Sequence, residues 1–204
     1  MKLLLAITIG AAVLVAADND FISTWKAPGA RPLDFAGKKV AAVLVSQDTS
    51  LRMSAEEALV REVTARGSNG IASYRMVPKE LLSDKKAAKE WFERAGVAGL
   101  VVLRPVKTET TKEYSAVVWS SGYYNYAWEY WDYSWASVTP IGKGRDSQTI
   151  TVETVLYDLS NGSPIWACVT RTKDPKDPQS YVKSLAIDII KQLEKDGLVA
   201  RGPR

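Results

Sequence analysis

The sequence predicts one α/β domain in which helices pack on a mixed β-sheet. Three observations lead to this prediction. Short apolar runs alternate with helical patterns in the first half of the chain, which is typical of parallel β-α-β units. An Asn-Gly pair at 161–162 separates two alternating segments and indicates an antiparallel hairpin. The apolar residues near the end of the chain recur at the spacing of a helix.

The first half of the domain is predicted to alternate strands and helices. Val40 to Val45 is a continuous apolar run, which predicts a buried strand at 38–47. Ser54 and Glu57 have the spacing of a capping box, so we expect a helix that begins at Ser54 and ends near Gly67. Similar patterns predict, in chain order, a strand at 71–77, a helix at 84–95, a strand at 97–106 and an extended stretch at 108–118.

The second half is predicted to be a hairpin followed by a helix. The two strands of the hairpin are 148–158 and 164–172. The last helix begins at Gln179 or Ser180 and ends before Gly197. The predicted order is therefore strand, helix, strand, helix, strand, aromatic insertion, strand, strand, helix, with the helices covering at least one face of the sheet.

Residues 1–17 are predicted to be a cleavable signal peptide. Lys2 supplies the positive charge, and Leu3 to Ala16 is an almost unbroken apolar run that ends in small residues. The run is about 15 residues long and is shorter than the roughly 20 that span a bilayer. Asp18 stands where a lipoprotein would carry its cysteine. These features predict an exported periplasmic protein that is soluble after cleavage, and they leave an association with the outer membrane open.

The domain organisation follows from the position of glycine and proline. An extended leader is predicted at 18–37, with regular structure only near Phe21 to Trp25. A single domain then covers 38–200 and contains an aromatic insertion at 119–145.

Composition excludes several functions. The formal net charge of the 204 residues is +4, and no block of like charges indicates a nucleic-acid partner. The absence of histidine removes the usual general base and the commonest metal ligand. The single cysteine, Cys168, is expected to pack in the core as a small apolar side chain. We therefore predict no metal, no cofactor, no catalytic residue and no enzymatic activity.

Several stretches together resemble a known group of proteins: Ser23 to Lys26, 39–45, 97–102, Thr151 to Asp158, Pro164 to Trp166, Thr172, Asp174 to Pro175 and Asp196 to Val199. The group consists of uncharacterised bacterial cell-envelope proteins, mostly lipoproteins, whose fold is similar to the curli-secretion lipoprotein and to the amino-terminal domain of TolB. The resemblance implies a non-catalytic envelope module that acts in assembly or in binding a partner. It implies no catalytic residues, and this chain lacks the lipoprotein cysteine.

The aromatic insertion is the most unusual part of the sequence. Nine of the 17 residues from Trp119 to Trp135 are aromatic. Rings alternate with small or polar residues, which predicts extended strands with the rings on one face and a bend between Tyr130 and Trp131. The candidate binding surface consists of Tyr124, Tyr126, Trp128, Tyr130, Trp131, Tyr133 and Trp135.

Three roles for this surface stay open. In the first, the segment is a hairpin whose rings pack on the domain. In the second, the rings contact an envelope protein or a second copy of the chain. In the third, they bind peptidoglycan, another glycan or the membrane surface. The glycan-binding protein is the alternative to the assembly module. A glycan hydrolase that uses Glu129 and Asp132 is the weaker form of that alternative.

The remaining charged residues are interpreted as structural. Glu153 is expected to form an ion pair with an arginine such as Arg171 on the neighbouring strand. Arg52, Glu56 and Glu57 follow the first strand of the domain, and we expect them to serve helix capping and surface pairing.

Overall fold

A computed structural model describes residues 19–30, 35–107, 115–141 and 149–202. The predicted signal peptide at 1–17 and Asp18 lie outside the described residues, as do residues 108–114 and 142–148. Residues 116–118, part of the stretch predicted as extended, belong to a helix, so that prediction is wrong there. The strands are β1 Asp20–Lys26, β2 Lys39–Leu44, β3 Asn69–Ala72, β4 Val97–Val106, β5 Thr149–Asp158 and β6 Ser163–Lys173. The helices are α1 Thr49–Thr64, α2 Lys85–Ala95, α3 Ala116–Trp119, α4 Ala127–Ala136 and α5 Pro178–Lys195, with 3-10 turns at Ser73–Arg75, Lys79–Leu81 and Gly122–Asn125.

The predicted fold class is confirmed: the strands form one mixed sheet with helices packed against it. The strand order is β1-β6-β5-β4-β2-β3. Strand β2 is parallel to β3 and to β4, as expected of β-α-β units. Strands β4, β5, β6 and β1 are antiparallel in turn. The edge strand β1 covers the stretch near Phe21 to Trp25, where the sequence predicts regular structure in the leader.

Helices cover both faces of the sheet and divide the core into two. On the first face, α1 and α5 pack over apolar side chains that include Leu44, Val152 and Trp166. On the second face, α2 and the aromatic residues pack over side chains that include Val43 and Tyr157. Because alternate residues of a strand point to opposite faces, both cores draw on the same strands.

The first helix begins earlier than the sequence predicts. Asp48 is its amino-terminal cap, because the Asp48 carboxylate accepts hydrogen bonds from the amides of Ser50 and Leu51 at 2.8 and 3.1 Å. The predicted start at Ser54 is wrong, and Ser54 lies in the second turn of α1. The strand predicted at 71–77 is also shorter, since 3-10 turn geometry replaces it from Ser73 onward.

The other boundaries agree closely with the sequence patterns. Helix α2 is capped by Asp84 and ends at Gly96, whose φ of 66° is the left-handed conformation that glycine adopts most readily. Helix α5 is capped by Asp177, and Leu198 folds back into the core after it. Among the described helices, none is long and apolar enough to cross a membrane.

Candidate functional site

The aromatic segment, Trp119 to Trp135, is helical and packs on the second face of the sheet. The prediction of extended strands with rings on one face is wrong. The buried positions of α4 are Ala127, Tyr130, Trp131, Ser134 and Trp135, which recur at the three- and four-residue spacing of a helix. The alternation of rings has no structural counterpart, because the small residues Ala127 and Ser134 face the core together with the rings.

The segment therefore presents only part of the predicted binding surface to solvent. Four of its seven residues are buried: Tyr124, Tyr130, Trp131 and Trp135. Trp128 and Tyr133 are half-buried, and Tyr126 is 55% exposed. The core uses most of the rings, and the surface that could meet a partner is narrower than the sequence indicates.

A buried charged network fastens the aromatic segment to the sheet. Glu153 on β5 lies opposite Arg104 on β4, and Nη1 of Arg104 donates to Oε2 of Glu153 at 3.0 Å. The hydroxyls of Tyr124 and Tyr130 donate to the same carboxylate at 2.7 and 3.2 Å. One carboxylate thus joins two strands, the 3-10 turn at 122–125 and α4. The predicted ion pair of Glu153 is present, but its partner is Arg104 and the prediction of Arg171 is wrong.

The register of the sheet decides this partner. On β6, Glu153 faces Val169, whereas Arg171 faces Thr151. Burial and the Glu153 carboxylate raise the pKa of the two tyrosine hydroxyls of this network well above the ordinary value. Both phenols therefore stay protonated at neutral pH and act as hydrogen-bond donors.

A second buried ion pair lies where β2 ends and α1 begins. Nε of Arg52 donates to Oε1 of Glu56 at 3.3 Å, and the side chains of the two residues are 3% and 0% exposed. The expectation of surface pairing is wrong for these two residues. It holds for Glu57, which accepts from the Tyr74 hydroxyl at 2.6 Å and forms an ion pair with exposed Arg75 at 2.8 Å.

Backbone and hydroxyl donors complete the environment of the buried Glu56 carboxylate. It accepts hydrogen bonds from the Leu44 amide, the Tyr74 amide and the Ser73 hydroxyl at 3.1, 2.8 and 2.9 Å. Burial nevertheless raises the pKa of Glu56, although Arg52 and these donors oppose the rise. The network ties the end of β2 to the start of the 3-10 turn that replaces the end of the predicted strand.

A cleft of about 310 Å³ is lined in part by Trp135, the ring against which Arg52 of this ion pair packs. Its walls are Gln47, Lys79, Glu80, Leu82, Ser83 and Trp135. The guanidinium carbon of Arg52 lies 5.6 Å from the centre of the Trp135 ring, and the Trp131 indole N–H donates to the Leu82 carbonyl at 2.9 Å. The aromatic segment and the loop before α2 are therefore joined at the cleft. Trp135 is one of the residues predicted from the sequence as a binding surface, whereas the polar residues around it are not.

The other predicted chemical groups are dispersed. Glu129 and Asp132 lie on the exposed side of α4, and both approach Lys85 of α2 at 2.9 and 3.9 Å. They do not line the described cleft. Cys168 is fully buried in the core of the first face, as expected, and burial raises the pKa of its thiol. Among the described residues, no group of histidine, cysteine, aspartate or glutamate side chains could hold a metal ion.

Solved structures of low sequence identity are among the matches that comparison with known proteins finds. No family model and no curated protein matches the chain. A dodecamer of a PelC variant from Paraburkholderia phytofirmans is 19% identical, with a TM-score of 0.45 over 88% of this chain and 99% of that chain. A second PelC dodecamer from the same organism is 13% identical, with a TM-score of 0.46 over 90% of this chain and 100% of that chain. Neither is the curli-secretion lipoprotein or TolB, so that resemblance stays a prediction.

Proposed function

We propose that this protein is a non-catalytic binding or assembly module of the cell envelope, and that it contacts a protein partner through the exposed part of the aromatic segment. The observation that carries the proposal is Tyr126, which is 55% exposed although the aromatic residues on both sides of it are buried or half-buried. Tyrosine combines a large contact area with few rotatable bonds and is frequent among the residues that dominate protein interfaces.

The residues before and after Tyr126 are held in place, which favours recognition by a preformed surface. The two hydrogen bonds to Glu153 hold Tyr124 and Tyr130 on either side of it in sequence. The rings of Tyr123 and Tyr133 stack with their centres 3.6 Å apart. These contacts hold the segment in place on both sides of Tyr126, so binding does not have to order the segment and more of the interaction energy appears as affinity.

The borders of the surface are amphipathic. Half-buried Trp128 lies 5.7 Å, centre to centre, from Phe92 of α2, and Glu129 and Asp132 are exposed between it and half-buried Tyr133. A protein surface with apolar and basic groups complements this arrangement. The envelope setting rests on the predicted signal peptide, and a second copy of the chain is one partner that fits the proposal.

Site-specific cross-linking tests this function. A photo-reactive amino acid replaces Tyr126 in cells that produce the full chain, and the matched control replaces Met53, an exposed apolar residue of α1 on the other face of the sheet. We expect a discrete cross-linked product from position 126 and none from position 53. In the purified complex, Tyr126→Ala should weaken binding about tenfold or more without changing the melting temperature. The absence of any product at position 126, or the same products at both positions, contradicts the proposal.

A further inference from the structure

The cleft beside Trp135 lies where the connections of neighbouring parallel strands leave the sheet on opposite faces. Strand β2 leads to α1 on the first face. Strand β4, its parallel neighbour, is followed in the chain by the aromatic segment on the second face. A crevice outside the carboxyl ends of such a strand pair is where open α/β sheets bind small ligands. Gln47, which follows β2, forms one wall of the cleft at this end.

The walls of the cleft offer both donors and acceptors with no excess of charge. Gln47 and Ser83 line the cleft, and a glutamine amide and a serine hydroxyl can each donate and accept. Lys79 adds one ammonium and Glu80 one carboxylate, so the formal charge of the lining is zero. A ligand whose groups both donate and accept hydrogen bonds, and which carries no charge, fits this lining.

The apolar part of the cleft is small. Trp135 is 7% exposed and Leu82 is 4% exposed, so the cleft offers little apolar surface to an aliphatic side chain of a peptide. Arg52 packs against the Trp135 ring and is itself held by Glu56 and Ser73. These contacts hold the Trp135 side chain in place.

We propose that this cleft binds a short neutral segment of a saccharide chain. Sugar hydroxyls donate and accept at each position, which matches the mixed lining, and a volume of about 310 Å³ accommodates few sugar units. This site is separate from the surface around Tyr126, and it assigns a function to residues 79–83 and Gln47 that the protein-binding proposal leaves unused.

Amide chemical shifts of the purified protein provide the test. The protein is titrated with neutral hexasaccharides, chitohexaose for an N-acetylated chain and cellohexaose for a chain without acetyl groups, and separately with anionic oligogalacturonate and cationic chitosan hexamers. We expect at least one neutral sugar to shift the amides of Gln47 and Ser83. The one that binds more tightly distinguishes an N-acetylated source, such as the cell wall, from other glycans.

Matched variants locate the site. Gln47→Ala and Lys79→Ala should each weaken binding about three- to tenfold, as expected for the loss of one hydrogen bond. Lys176→Ala, which removes an exposed lysine before α5, and Tyr126→Ala should leave it unchanged. The proposal is overturned if no neutral sugar shifts these amides, if only a charged oligomer does, or if the cleft variants bind as the wild type does. Tyr126→Ala should weaken partner binding and leave sugar binding unchanged, so the failure of one proposal is distinguishable from the failure of the other.

Discussion

Replacing Glu153 with alanine should detach the aromatic segment from the sheet. The change removes the acceptor for the Tyr124 and Tyr130 hydroxyls and the counter-charge of Arg104. The Arg104 side chain is 6% exposed and that of Glu153 is 1% exposed, so solvent does not screen the pair appreciably. Arg104 keeps a hydrogen bond to the Ser137 hydroxyl at 3.0 Å, but its charge loses its partner.

The expected loss of stability is large for one substitution. Breaking a buried ion pair by removing one partner costs about 3–5 kcal/mol. Each buried hydroxyl that loses its acceptor would add about 1–3 kcal/mol if the segment stayed in place. Because α4 can move away and let these groups reach water, we expect the total to stay near 3–5 kcal/mol, with the greatest change in the surroundings of the aromatic rings.

Urea unfolding monitored by far-ultraviolet circular dichroism measures this loss, and near-ultraviolet circular dichroism monitors the packing of the rings. Glu153→Gln keeps an acceptor oxygen but leaves the Arg104 charge unpaired. The double variant Arg104→Met/Glu153→Gln removes both charges. It should be at least about 1 kcal/mol more stable than the summed losses of the single variants Arg104→Met and Glu153→Gln predict. The prediction is refuted if Glu153→Ala lowers the free energy of unfolding by less than about 1 kcal/mol, or if the losses of the two single variants add up to that of the double variant.

Two further predictions concern α1. The pKa of Glu56 is raised above 4.5 in the folded protein, so the folded state holds this proton more tightly than the unfolded state does. The free energy of unfolding of the wild type, relative to that of Glu56→Gln, should therefore fall as the pH rises from below 4.5 through the raised pKa. Urea unfolding at several pH values measures this difference. A difference that does not change with pH would contradict the prediction. Asp48→Ala should cost about 1 kcal/mol, because two amides lose their cap, whereas Ser54→Ala should change the free energy of unfolding by less than about 0.5 kcal/mol. If chemical denaturation shows the larger loss of stability for Ser54→Ala, Ser54 and not Asp48 caps the helix.

Local signals were sufficient for the elements that combine an apolar pattern with a clear stop. Helix α2 lies between Asp84 and Gly96, and the hairpin of β5 and β6 turns at Gly162 with a φ of 72°. The start of α1 was predicted wrongly because the capping-box spacing of Ser54 and Glu57 occurs within the helix and does not mark its start. Asp48 satisfies the amides in the structure, and the buried Glu56 then faces inward two turns later.

The local pattern of the aromatic segment does not predict its conformation. Its rings recur both at a period of two and at the helical spacing, and aromatic residues favour strands by propensity. What decides between the two patterns is a partner distant in sequence: the Glu153 carboxylate accepts the hydroxyl of Tyr130, 23 residues away, and that of Tyr124, 29 residues away. The residues that signal a buried face are the small ones, Ala127 and Ser134, and their spacing could have favoured a helix. Arg52 and Glu56 are four residues apart on α1, so their pairing is local, but their burial depends on distant residues such as Leu44 and Ser73.

The position of β1 has a consequence for the time at which the protein can complete its fold. β1 pairs with β6, the Lys26 ammonium donates to the Asp196 carbonyl 170 residues later in the chain, and Asn19 reaches Asp188 across 169 residues. When the chain emerges with its amino end leading, β1 is the first of these strands to appear. It has no strand to pair with until the hairpin of β5 and β6 has also emerged. Contacts between such distant parts of a chain form slowly. The edge of the sheet is therefore the last part to close, and until then β6 offers an open edge to any chaperone or partner strand that is present.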